Sequence, residues 1–105
     1  MKRIKRRYLA LEVELDGAVD SKELMNAIWG AILKLYGEYG ASLAGINLIE
    51  YDAAEKLAVL RTSNASVNMV RTALASITKI GDKSVAVHVL TVSGTIKALR
   101  KKLKL

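Results

Sequence analysis

The segment Ser93-Gly94-Thr95, followed by Lys97, Arg100, Lys101, Lys102 and Lys104, gathers groups able to hold an anion. Two hydroxyls can donate hydrogen bonds, and glycine lets a bulky ligand approach the backbone. At the start of a helix, free N–H groups and the positive dipole end favour negative charge. A structural duty competes with that chemistry, because Ser93 or Thr95 can equally cap the helix. Lys97, Arg100, Lys101 and Lys104 fall on one side of a helix, beside an apolar stripe of Ile96, Leu99 and Leu103. An anion-binding corner followed by a basic stripe suits a nucleic-acid backbone, although lysines late in a helix also complement its dipole.

Groups for catalysis or metal binding are sparse. The chain has no cysteine and a single histidine, His88, so neither a thiolate nor a histidine-based metal site is expected. His88 lies within an apolar stretch and reads as a satisfied core or interface residue. No motif places a serine or carboxylate beside it. Glu12 and Glu14 have the parity of a carboxylate pair, but a solvated strand face explains them more simply. An acylphosphatase-like hydrolase would need an arginine in a glycine-rich loop after the first strand. The loop here, Asp16-Gly17-Ala18-Val19-Asp20, is acidic and has none. We therefore expect no catalytic residue and no cofactor in this chain.

The formal net charge of +7 is unevenly placed. Lys2, Arg3, Lys5, Arg6 and Arg7 lie at one end and five more cations at the other. Residues 8–96 hold seven basic side chains against all ten acidic ones, a balance of −3. Clustered like charge repels itself, and an anionic partner is the usual reason to tolerate it; solubilising tails are the plainer alternative. The basic-then-apolar start is broken by Glu12, Glu14 and Asp16, unlike a signal peptide, and no apolar run is long enough to span a bilayer. A lysine-flanked Ile96-Leu99-Leu103 stripe is short for an interfacial membrane anchor. We expect a soluble, cytoplasmic chain without a membrane partner.

Elements able to position these groups follow from periodicity. The chain, with 51% apolar and 26% charged residues, suits one domain over residues 1–105. Leu9, Leu11, Val13 and Leu15 alternate with polar residues as in a half-buried strand. Asp20 and Glu23 form a capping box for a helix carrying Leu24, Ile28, Ala31, Ile32 and Leu35, which should end near Gly37 to Gly40. Residues 46–51 and 56–62 read as a hairpin across Asp52 to Glu55. Ser63 or Asn64 caps a second helix marked by Val67, Val70, Leu74 and Ile77. Gly81-Asp82 is a turn, residues 84–92 a β-branched strand, and residues 95–103 a final basic helix. The order β-α-β-β-α-β implies an α+β, ferredoxin-like or RRM-like sandwich with a four-stranded antiparallel sheet. In that arrangement the first and last strands pair antiparallel, which would bring Arg6 and Arg7 to the Val92-Ser93 corner.

Protein contacts have candidates as well. Met25, Trp29, Ile32 and Tyr36 form a second stripe on the first helix, either a wide core face or an interface using Trp29 and Tyr36. Val85, Val87 and Val89 alternate with Ala86, His88 and Leu90, so both faces of the last strand look apolar. The final helix or a protein partner contacting Val87 and Val89 would cover the spare face. A base-stacking platform of the RRM kind is disfavoured by Glu12 and Glu14, although Tyr8 and Tyr51 could stack.

The stretches RRYLALEV, AIWGAILKLYGEYGAS, RTSNASVNMVRTALA and VSGTIKALRKKL resemble protein component 2 of archaeal ribonuclease P, whose eukaryotic counterpart is shared by ribonuclease P and ribonuclease MRP. The similarity runs over nearly the whole chain, and its most specific element is Ser93-Gly94-Thr95-Ile96-Lys97, supported by Gly37 and Gly40. The resemblance implies an RRM-like sandwich assisting an RNA catalyst that removes the 5′ leader of precursor tRNA. It implies chemistry carried by the RNA and its magnesium ions, a TIM-barrel-like protein partner, and a homodimer within a heterotetramer. Arg6, Arg7, Lys97, Arg100 and Lys101 are then the expected phosphate contacts around a Ser93-Gly94-Thr95 anion corner. A generic RNA-binding or protein-interaction module is the alternative.

Overall fold

The computed structural model describes residues 5–103. Strand β1 (Arg6–Leu15) buries Leu9, Leu11, Val13 and Leu15 on one face and turns Tyr8, Ala10, Glu12 and Glu14 to the other. Helix α1 (Ser21–Ala44) starts at the expected capping box: the Glu23 N–H donates to the Asp20 carboxylate at 2.7 Å, and the Asp20 N–H donates back to Glu23 Oε1 at 3.3 Å. Then come β2 (Asn47–Asp52) and β3 (Leu57–Ser63), a 3-10 turn (Asn64–Ser66), α2 (Val67–Ala75), β4 (Lys79–Ile80), β5 (Lys83–Ser93) and α3 (Ile96–Leu103).

The architecture is α+β, with an antiparallel sheet in the order β2-β3-β1-β5-β4. It has five strands rather than four, because Lys79 and Ile80 pair with Ser84 and Lys83 across the Gly81 turn, where φ is +64°. Two residues are too few to announce a strand by alternation. Helices α1 and α2 cover one face, around Leu9, Leu11, Leu24, Ile28, Ile32, Leu60 and Leu74. Helix α3 packs on the opposite face, where fully buried Leu99 meets Ala10 and Val59 with Tyr8, Ile49 and Leu103 beside them. The spare face is thus covered in part by the chain itself.

Several boundaries differ from expectation. Helix α1 does not end at Gly37. There the backbone turns to φ +73°, ψ −178°, and a second helical piece runs on to Ala44, capped by left-handed Gly45. Gly40, Ala41 and Ala44 are buried in that piece, so small residues let it resume against the sheet. Leu35, expected in the core, is 46% exposed beside residues 76–79, because α2 stops at Ala75 and does not reach over it. Ser63 does not cap α2: its hydroxyl donates to the Leu43 carbonyl at 3.1 Å and bonds Ser66 Oγ at 2.9 Å.

Both faces of β5 look apolar in sequence, and a bulge interrupts their alternation. Ala10 pairs with Thr91 and Leu11 with Val89, leaving Leu90 as an extra residue. Val85 and Val87 are core residues, with Val89 and Val92 packed against the same core. Val87, expected as a protein contact, is only 8% exposed and spent on the main core.

Candidate nucleic-acid interface

Antiparallel pairing of β1 with both β3 and β5 builds the site. Tyr8 faces Ser93 on one side and Arg61 on the other, so the start of β1 lies beside the end of β5. The Asn64 N–H donates to the Lys5 carbonyl at 2.7 Å, fixing the entry into β1. A Cβ placed on Gly94 would stand 3.5 Å from an Arg7 guanidinium nitrogen, so the N-terminal arginines and the Ser93-Gly94-Thr95 corner share one surface. That nitrogen also donates to the Arg6 carbonyl at 3.1 Å. Lys2, Arg3 and Lys104, read as part of the same charge clusters, lie outside the described residues.

Within the corner, duties divide. Thr95 is the helix cap: its hydroxyl accepts the Ala98 N–H at 3.1 Å, and its carbonyl accepts the Leu99 N–H at 3.1 Å. The Thr95 O–H proton is still available to an acceptor. Ser93 is 7% exposed, at the last register position of β5. Anchored by Leu99, helix α3 turns Lys97, Arg100, Lys101 and Lys102 to solvent. Arg100 reaches across to an ion pair with Glu50 on β2, and Lys102 donates to the Val92 carbonyl at 3.1 Å. Among the described residues no ion pair engages Arg6, Arg7, Lys97 or Lys101.

Two side chains stand where the sequence did not place them: Tyr51, a candidate for stacking, turns inward, and His88, expected in the core or an interface, turns to solvent. Tyr51 packs against the main core and donates its hydroxyl to the Val19 carbonyl at 2.7 Å. Burial, followed by the charges of Asp20 and Glu23, pushes its phenol above the usual tyrosine range, and its ring is withdrawn from stacking. His88 is not a core residue. It is half exposed and lies 2.9 Å from the Glu14 carboxylate, a solvated pair joined only by strand register, since the two residues are 74 apart in sequence. Glu12 and Glu14 are exposed, as expected for a solvated face.

Arg61 is the residue that sequence reading passed over, counting it merely among the cations between the termini. It lies on β3 between Tyr8 and Asn47, on the face that α3 occupies, and its Nε is buried without a hydrogen-bond partner. An arginine with outward parity directly after the apolar run Leu57 to Leu60 was the available signal.

The same face changes sign along its length. A groove of about 350 Å³ at the far end is floored by Ala10, Leu57, Val59 and Leu103 and rimmed by Glu50, Asp52 and Glu55, which repel phosphate. On α1, Trp29 and Tyr36 are 39% and 38% exposed, while Met25 and Ile32 of the same stripe turn toward the core. No group of three or more metal-ligating side chains occurs among the described residues, and no described helix is long and apolar enough to cross a membrane.

Comparison with known proteins gives these features a context. The chain is 38% identical over 100 residues to ribonuclease P protein component 2 of Pyrococcus abyssi, an alignment spanning 95% of this chain and 85% of that protein. It is 31% identical over 102 residues to the protein of the same name from Methanobrevibacter smithii, spanning 90% and 85%. Among solved structures, a chain in the cryo-EM structure of yeast ribonuclease MRP superposes with a TM-score of 0.68 at 16% identity, covering 99% of this chain and 92% of that one. Such a match speaks for a shared fold. The model of the Rpp14/Pop5 family matches residues 7–104, from Arg7 to Lys104, and the chain belongs to that family.

Proposed function

We propose that this chain is a non-catalytic protein subunit of ribonuclease P. It binds the catalytic RNA and stabilises it for removal of the 5′ leader from precursor tRNA. Family membership and the names of the relatives support this reading. The observation that carries it is the register of Tyr8 against Ser93, which brings Arg6 and Arg7 to the corner from which α3 and its cations run. Arg6, Arg7, Lys97, Arg100 and Lys101 contact phosphates there, and Ser93, Gly94 and Thr95 form the backbone-lined anion corner. Arg100 exchanges its exposed partner Glu50 for phosphate at little cost, since such surface pairs are weak.

Hydrolysis, with the magnesium ions that support it, belongs to the RNA. Trp29 and Tyr36 offer aromatic surface to a protein partner, consistent with a TIM-barrel-like component and a homodimer within a heterotetramer. The place of action is the cytoplasm. Strand order β2-β3-β1-β5 with two helices on one face supports a ferredoxin-like, RRM-like sandwich extended by β4.

The test is the rate of precursor tRNA cleavage by the cognate RNA at limiting magnesium, with the TIM-barrel-like component present and this chain added or omitted. Strong stimulation is expected, and it should disappear for the Lys97→Ala, Arg100→Ala, Lys101→Ala variant. In direct binding, the log-log dependence of affinity on salt should flatten by roughly 0.7 to 0.9 for each phosphate contact removed. An unchanged slope removes the site assignment; absence of stimulation with folded components removes the function.

A further inference from the structure

We infer that Arg61, Tyr8 and Asn47 form a binding site for an unpaired RNA nucleotide on the face of the sheet that α3 only partly covers. This rests on the RNA-binding reading above and assigns a second kind of contact within it. The residues stand in one cross-strand row: Asn47 pairs with Arg61, Arg61 with Tyr8, and Tyr8 with Ser93. Tyr8 packs at the edge of the Ala10, Val59 and Leu99 cluster, which fixes the row to the α3 side of the sheet.

Arg61 carries the inference. Its Nε is buried without an acceptor, although a buried donor left unmade is costly and native folds seldom tolerate one. No carboxylate pairs with it among the described residues, whereas Arg100 on the same face has Glu50. Glu12, the next carboxylate along β1, pairs with Leu57, which is two outward positions from Arg61 along β3. A guanidinium presents Nε and one terminal nitrogen as parallel donors, matched by two acceptors on a base edge or a phosphate. With Nε set back in the surface, an acceptor that meets both nitrogens of the fork has to come in edge-on beside the sheet.

A base in a duplex is stacked and cannot do this, but an unpaired nucleotide can. Tyr8 beside it supplies an aromatic ring, and Asn47 supplies an amide able to donate and accept. Arg6, two residues before Tyr8 and exposed on the same strand, is placed for the neighbouring phosphate.

The experiment is fluorescence anisotropy at low salt with fluorescein-labelled oligouridine and, separately, a blunt oligoadenosine–oligouridine duplex. Variants are Arg61→Lys, which keeps the charge but loses the fork, and Tyr8→Leu, with thermal unfolding of each. Each substitution should weaken single-strand binding about tenfold, the cost of one stacked or edge-read base, while duplex affinity stays near that of the parent. The melting temperature of Arg61→Lys should not fall, because no hydrogen bond to Nε is lost. Equal losses on both probes would reduce Arg61 to another phosphate contact and overturn the inference. Unchanged binding of both overturns it too and leaves the row to a protein partner. A parent chain that binds neither probe removes the RNA-binding reading itself, a different failure from either of these.

Discussion

Replacing Leu99 with alanine should disconnect α3 from the sheet without unfolding the domain. Leu99 is fully buried, yet its cluster is small: Ala10 and Val59 beneath, with Tyr8, Ile49 and Leu103 at the sides. Removing a buried leucine side chain costs about 2 to 5 kcal/mol, and the lower half of that range applies where a surface element can relax. An eight-residue helix has no stability of its own, so α3 stays helical only while docked. If docking is worth about 2 to 3 kcal/mol, close to the burial of one leucine, the substitution consumes nearly all of it. The opening equilibrium then rises by roughly 30- to 150-fold, at a tenfold change for each 1.4 kcal/mol.

Amide hydrogen exchange separates this outcome from global destabilisation. Protection of the Leu99 amide, which bonds the Thr95 carbonyl, should collapse, while the Leu9 and Leu11 amides in β1 keep most of theirs. RNA affinity should fall with a shallower salt dependence, although no cation has been removed, because Lys97, Arg100 and Lys101 lose their common platform. Retained protection across α3, or loss spread evenly over α3 and β1, would refute the idea that this one side chain holds the basic helix in place.

Two further perturbations test the framework behind the site. At Gly40 an added Cβ would stand 2.6 Å from the Tyr36 Cβ, so Gly40→Ala should destabilise by about 1 to 3 kcal/mol in chemical denaturation. Tyr51, whose phenol is raised above its usual value, stays protonated in the fold after the unfolded chain has begun to ionise. Its contribution is therefore complete below about pH 10 and is lost as pH rises through the folded value. Tyr51→Phe should cost about 1 kcal/mol at neutral pH through the lost bond to Val19, and its stability should fall less steeply in alkali than the parent's.

Alternation and capping chemistry are local, so β1, the Asp20-Glu23 box and the stripe of Leu24, Ile28 and Ile32 could be read from the sequence. The convergence of the two basic ends was also within reach, because it follows from antiparallel pairing once the element order is known. Features decided between distant residues were not. Leu90 looks like one more alternating residue until its partner strand shows it to be the bulge that returns Val92 to the core side. His88 finds Glu14, and Tyr51 finds the Val19 carbonyl, through register and packing that no local pattern records. Gly37 and Gly40 resembled a helix end because glycine usually marks one; burial of the small residues that follow favours a kink instead. Arg61 was hidden because its significance is the absence of a partner.

The outer face of β1 carries both signs of charge, with Arg6 near one end and Glu12 and Glu14 toward the other. From Arg6 to Glu14 the strand advances roughly 26 Å at its usual rise, about three times the screening length of about 8 Å at physiological ionic strength. Ions in solution therefore isolate the two ends from one another: the carboxylates take almost nothing from the attraction felt by a polyanion at the arginine end. Once a polyanion comes within a screening length, attraction at one end and repulsion at the other act on it separately and turn the protein before contact. A strand that serves as the spine of the core thus also sets the angle of arrival.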